Sequence, residues 1–169
     1  KIVDKISEYQ GKKGRILELG AGAGALTQRL IDSGYSVVAS DIDASDFTLG
    51  SKFIQADLNK NFSEHFINSD FDCIVASQTL EHLENTLHFL REIKALLTKE
   101  GIALISFPNI YLYSATIGFL RRGDFINWNA SQYWSTGHQT ILIDWLFEQH
   151  CKQVGLSIKE KIYSSPINL

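Results

Sequence analysis

The chain has 169 residues, 44% of them hydrophobic, with a formal net charge of −3. Length and apolar content suffice for one core, and no linker or low-complexity tract divides it, so one domain over 1–169 is expected. Scattered basic residues argue against a nucleic-acid partner, no apolar run is long enough for stable membrane insertion, and two distant cysteines, Cys73 and Cys151, without C-x-x-C spacing fit free thiols in a reducing, cytoplasmic setting.

Along the chain, Ile2, Val3, Ile6 and Tyr9 are spaced for one face of a leading helix. Residues 15–19 form an apolar strand, and 16–24 read Ile-Leu-Glu-Leu-Gly-Ala-Gly-Ala-Gly, with glycines at alternate positions that let backbone pass close to a ligand. A helix over 24–33 follows, its N-terminus facing whatever the glycines admit. Strands are predicted at 36–41, 52–56, 71–76 and 101–107, a helix at 85–98, a helix at 140–153 and a strand at 156–163. This alternation predicts an α/β, Rossmann-like fold: an open, mostly parallel sheet with helices on both faces. Only six residues follow 163, so a last strand is expected to be missing or truncated. Methionine is absent, even at position 1; either the chain is a fragment or methionines are missing from it, which would compress the spacings.

In such sheets ligands bind beyond the carboxyl ends of the strands, where Glu18, Asp41, Asp57 and Ser77 lie. Gly20, Gly22 and Ala25 with Asp41 satisfy a dinucleotide fingerprint. Glu18 extends it to E-x-G-x-G-x-G, which closely resembles the first motif of class I S-adenosylmethionine (SAM) dependent methyltransferases. The resemblance continues through Val37 to Asp43, Phe53 to Leu58 and Phe71 to Ala76. It implies that SAM, or its product S-adenosylhomocysteine (SAH), binds along Glu18, Gly20, Gly22 and Gly24. Asp41 would take the ribose hydroxyls, Ile42 would wall the adenine, Asp57 would accept its amine, the Leu58 N–H would serve a ring nitrogen, and Ser77 would close the site. A short-chain dehydrogenase would need Tyr-x-x-x-Lys after the fifth strand; the only instance, Tyr9 with Lys13, precedes the first.

For the acceptor, the (Asp/Asn)-Pro-Pro-aromatic turn of adenine methyltransferases is replaced by Ala76-Ser77-Gln78-Thr79. No carboxylate and amide cluster for magnesium is evident, so no metal is expected. Residues 107–138 hold Phe107, Tyr111, Tyr113, Phe119, Phe125, Trp128, Tyr133 and Trp134, an aromatic density expected of an acceptor-side lid, against the alternative that half the rings pack on the sheet. Ile110 to Leu120 with Arg121 and Arg122 also allows an interfacial membrane contact. His82 and His138 are the candidate catalytic bases near the mouth, against ordinary backbone-bonded roles; His65, His88 and His150 are peripheral.

A narrower resemblance, carried by Ser77 to Leu80, Phe53 to Leu58, Ser106-Phe107-Pro108-Asn109 and Arg122-Gly123, is to the MetW family. Glu81-His82-Leu83 departs from it toward the quinone and glycan methyltransferases. Together these imply methyl transfer from SAM to a small-molecule or glycan acceptor, at oxygen before nitrogen. The alternative is a MetW-like SAM-binding accessory or regulatory protein without turnover, with a protein partner.

Overall fold

Five short runs of apolar residues, each bounded by turn formers, assemble into one parallel sheet in a computed structural model that describes residues 2–10, 14–66 and 70–163. The strands are β1 (Arg15–Leu19), β2 (Ser36–Asp41), β3 (Lys52–Gln55), β4 (Phe71–Ser77) and β5 (Leu97–Ser106), in the order β3-β2-β1-β4-β5. Order reverses between β1 and β4, which puts a switch point beside the glycine turn. The register aligns the strand ends: Leu19 pairs with Ser40 and Ala76, Asp41 with Gln55, and Ser77 with Ser106.

Side chains alternate across each strand, so the sheet feeds two cores. Leu17, Leu19, Val38, Ile74 and Ala76 face one, filled by Phe62 and Phe66 of a 3₁₀ turn (Phe62–Phe66) and by Phe89 and Ile93 of α3 (Thr86–Leu96). Ile16, Val37, Cys73, Val75 and Ile102 face the other, with Ile6 of α1 (Ile2–Gln10) and Leu30 of α2 (Ala25–Asp32). Each large side chain buried this way contributes about 1.5–3 kcal/mol. α2 ends as its sequence directs: Gly34 takes φ 90°, its N–H reaches the Ile31 carbonyl at 2.8 Å, and the Tyr35 N–H reaches Leu30 at 3.2 Å. Asn85 caps α3 by accepting the His88 N–H at 2.9 Å.

The departures have physical causes. The region over 107–138 contains two helices, α4 (Tyr113–Arg122) and α5 (Ala130–Thr136), both stopped by left-handed glycines, Gly123 and Gly137. The last helix, α6 (Asp144–Gln153), begins later than expected because residues 139–140 bond to the turn after β4. α3 ends early because Leu97 is already extended and opens β5.

No strand forms over 156–163. The Leu156 N–H closes the end of α6 on the Cys151 carbonyl, and Ile158 and Ile162 stand 40% and 59% exposed, so their alternation meets no sheet edge. Side-chain ties hold the segment instead: Glu160 accepts from Lys5 and Tyr9, each at 2.9 Å, and Lys161 pairs with Glu148. The expected final strand is therefore absent through residue 163, and residues 164–169 lie outside the described ones.

Candidate cofactor and acceptor site

The turn after β1 is built from backbone. The Ser40 carbonyl accepts the N–H groups of Gly20 and Ala21 at 2.9 and 3.1 Å, which folds the turn over the end of β2. Gly20, Gly22 and Gly24 all have positive φ, at 75°, 50° and 86°. Their reasons differ. A Cβ on Gly20 would fall 2.5 Å from the Thr79 hydroxyl and one on Gly24 2.6 Å from Leu49, so packing requires both. A Cβ on Gly22 would meet nothing within 4 Å; this is the glycine that faces open space, as a ligand-side position requires.

The three acids stand in different surroundings. Asp41 Oδ2 accepts the Gly22 N–H at 2.7 Å, and Ile42 beside it is 62% exposed at the mouth. Glu18 is 4% exposed and accepts the Thr27 hydroxyl at 2.6 Å. Burial pushes its carboxyl up to about 7, against the Thr27 hydrogen bond, and the charge of Asp41 adds to the rise. Asp57 accepts the Asn59 N–H at 3.0 Å and pairs with Lys60 at 3.2 Å; the Asn59 bond chiefly holds its pKa below the usual carboxylate range. The Leu58 side chain lies in the core, so only its backbone faces outward chemistry. Ser77 and Ser106 share a hydrogen bond of 3.0 Å across the tips of β4 and β5.

Gln78, Thr79 and Glu81 are functional-looking residues that the sequence reading passed over. Gln78 is the one non-glycine at positive φ among the described residues, 54°, held by its N–H to the Ser106 carbonyl at 2.9 Å. Such strain persists only where surroundings enforce it. Thr79 donates to the Leu19 carbonyl at 3.2 Å, locking the turn after β4 to the glycine turn. A 3₁₀ turn (Leu80–His82) follows, in which Glu81 is 1% exposed and its Oε2 has no hydrogen-bond partner.

The segment after α5 closes on this turn. With Gly137 at φ 74°, the chain reverses and runs beside residues 81–83. The Glu81 carbonyl accepts the Gln139 and Thr140 N–H groups at 2.9 and 3.0 Å, the Gln139 side chain donates to the His82 carbonyl, and the Thr140 hydroxyl to that of Leu83. These bonds bring the His82 and His138 rings edge to face, 4.9 Å between centroids. His138 Nδ1 lies 3.0 Å from the Asn127 carbonyl, which can only accept, so that nitrogen is the donor and in the neutral ring Nε2 is the acceptor. His88 instead bonds the Lys60 carbonyl and His150 the Thr86 hydroxyl, away from this cluster.

The aromatic residues divide between packing and cleft. Phe107 packs on Phe147 and Phe119 stacks on Phe125, at 5.2 and 4.8 Å. Trp128, Tyr133, Trp134 and His138 line a cleft of about 430 Å³, with Trp128 fixed by its indole N–H on the Thr140 carbonyl at 2.9 Å. Leu120, next to Arg121 and Arg122, is 78% exposed, and among the described residues no helix is long and apolar enough to cross a membrane.

An all-parallel sheet in this order, with a glycine turn after β1 and acids ending β1 to β3, is the fold of the class I SAM-dependent methyltransferases. The chain belongs to the methyltransferase domain family, whose model matches residues 1–158. It is 24% identical over 135 residues to a ubiquinone biosynthesis O-methyltransferase of Rickettsia canadensis, covering 75% of this chain and 57% of that protein. It is 28% identical over 116 residues to the protein of that name from Rickettsia typhi, covering 64% and 47%. The chain thus spans about half the length of the curated relatives it matches. Among solved structures, a SAM-dependent methyltransferase from Archaeoglobus fulgidus superposes with TM-score 0.69 at 15% identity, covering 91% of this chain and 67% of that one. A TehB-like SAM-dependent methyltransferase from Corynebacterium glutamicum superposes with TM-score 0.60 at 21% identity, covering 90% and 71%.

Proposed function

We propose that the chain is the SAM-binding, catalytic part of an O-methyltransferase acting on a small aromatic hydroxyl. The observation that carries this reading is that Trp128, Tyr133, Trp134 and His138 line one cleft, with His138 edge to face on His82, whose turn is tied through Thr79 to the glycine turn. Rings line the cleft and offer faces on which a planar acceptor can stack. The names of the curated relatives favour oxygen as the acceptor atom and the quinone branch over the glycan branch.

On this reading the cofactor residues are Glu18, Gly20, Gly22, Gly24, Asp41, Ile42, Asp57, Ser77 and the Leu58 N–H; the open space beside Gly22 and the Asp41 carboxylate on its N–H support it. When bound, SAM supplies an electrophilic methyl. The acceptor oxygen forms the O–C bond as the C–S bond breaks, the sulfur keeps the electron pair, and the hydroxyl proton leaves. The chain's part is to align the two reactants and keep water out, and to receive that proton at the floor of the cleft.

The accessory reading keeps one supporting observation: Leu120, Trp134 and Trp145 are 78%, 85% and 61% exposed, large apolar side chains of the kind a protein partner or membrane face covers. Calorimetry with SAH, followed by mass spectrometry of hydroxylated aromatic acceptors incubated with SAM, separates the two. SAH binding with methylated product supports the enzyme; SAH binding with no product across the acceptor panel, together with capture of a partner, favours the accessory protein.

A further inference from the structure

The turn after β4 and the chain after α5 bring together three groups that are far apart in sequence. One ligand atom from each of Glu81, His82 and His138 lies within 4.8 Å of the others. Four hydrogen bonds to the carbonyls of residues 81–83, two from the backbone N–H groups of Gln139 and Thr140 and two from their side chains, hold the two segments together at that spacing. Glu81 is 1% exposed, and its Oε2, buried in the cluster, has no partner. A buried carboxylate oxygen without a donor needs either a proton or a cation. His138 donates Nδ1–H to the Asn127 carbonyl, the outer hydrogen bond that orients a metal-bound imidazole, and this leaves Nε2 free. Trp128, 9% exposed and 5.9 Å from the His138 ring, shields one side while the cleft opens the other.

We propose that Glu81, His82 and His138 bind one divalent first-row transition ion of the zinc or cobalt type, with its open coordination positions facing the aromatic cleft. Two imidazoles and one carboxylate are the donor set such ions take at catalytic sites, three protein ligands with the remaining position left for water or substrate. Around a tetrahedral ion with bonds of about 2.1 Å the donors stand roughly 3.4 Å apart. The cluster reaches this by contracting about an ångström, within reach of side-chain rotation.

The site stands on its own geometry; its use in catalysis rests on the O-methyltransfer reading. There an acceptor hydroxyl on the open position loses its proton to solvent more readily, as metal-bound water does, and the resulting oxygen attacks the methyl. With the ion bound the imidazoles are ligands and solvent takes the proton that the metal-free reading assigns to the floor of the cleft. This differs from the expectation of no metal, which looked for a carboxylate and amide cluster at the end of β4 alone.

The test uses the full chain after chelator treatment and dialysis. Cobalt(II) is titrated while the visible d–d bands are followed, zinc(II) binding is measured by calorimetry, and far-UV circular dichroism and SAH affinity are recorded in parallel. The expected result is one equivalent bound, with affinity reduced at least about tenfold in both His138→Ala and Glu81→Gln while the folded spectrum is retained. Should Glu81→Gln fail to fold, His138→Ala decides alone. No stoichiometric binding to the wild type, or wild-type affinity in folded His138→Ala, overturns the site. SAH binding is independent of the ion, so its absence would count against the methyltransferase reading and not against the metal.

Discussion

The Asp41 carboxylate, at the end of β2, holds the Gly22 N–H at 2.7 Å, tying the acid expected to take the ribose to the glycine that borders the ligand space. On the proposed assignment the same carboxylate would accept from the two ribose hydroxyls. Asp41→Ala is expected to weaken SAH binding by about 1–3 kcal/mol, since an ionised acceptor for vicinal hydroxyls is lost. Isothermal calorimetry measures it, and an unchanged dissociation constant would dismiss the ribose assignment.

Two of the glycines are expected to fail in different ways. Gly20→Ala drives a Cβ into the Thr79 hydroxyl at φ 75° and should lower the unfolding midpoint markedly. Gly22→Val costs about 1–2 kcal/mol for its left-handed φ but meets no atom, so the protein stays folded and loses SAH affinity. Urea denaturation paired with SAH titration distinguishes them; equal unfolding in both would mean that Gly22 is structural.

Glu18 makes stability depend on pH. Its folded pKa, about 7, lies above the ordinary 4.5, so the folded state favours the protonated form. The stabilisation is present below about pH 4.5 and is lost as pH rises through about 7, amounting to at most roughly 3 kcal/mol. Glu18→Gln removes that slope. Urea unfolding near pH 5 and near pH 8 should show the variant gaining on the wild type at the higher pH, and an identical pH trend in both proteins would contradict the buried carboxyl.

Two tryptophans of the cleft should behave oppositely. Trp134 is 85% exposed, so Trp134→Ala changes stability by less than about 0.5 kcal/mol while raising the KM for an aromatic acceptor. Trp128 is 9% exposed and hydrogen-bonded to Thr140, and Trp128→Ala should cost about 3–5 kcal/mol. Thermal melts and acceptor kinetics report both; a large loss of stability in Trp134→Ala would place that ring in the core.

Much of the donor half was legible because its signals are local. Five apolar runs, a glycine turn and acids at strand ends are each written within a few consecutive residues, and β1 and β2 fall at the predicted bounds. The acceptor half was harder because it depends on contacts between distant residues. Nothing near Glu81 announces that Gln139 and Thr140 will bond its carbonyl, and so its burial was not foreseen. α4 carries Gly118 in its interior and rings on several sides, which hides its period. The alternation of Leu156 and Ile158 reads as a strand, but pairing needs an available edge as well as a pattern.

Thr79 has a mechanical consequence. Its hydroxyl is wedged between the Leu19 carbonyl and the space beneath Gly20, two residues before the buried Glu81 and three before His82. Because one hydroxyl touches both turns, a side chain that displaced Thr79 would disturb the glycine turn and the 3₁₀ turn together, whichever of them it was aimed at.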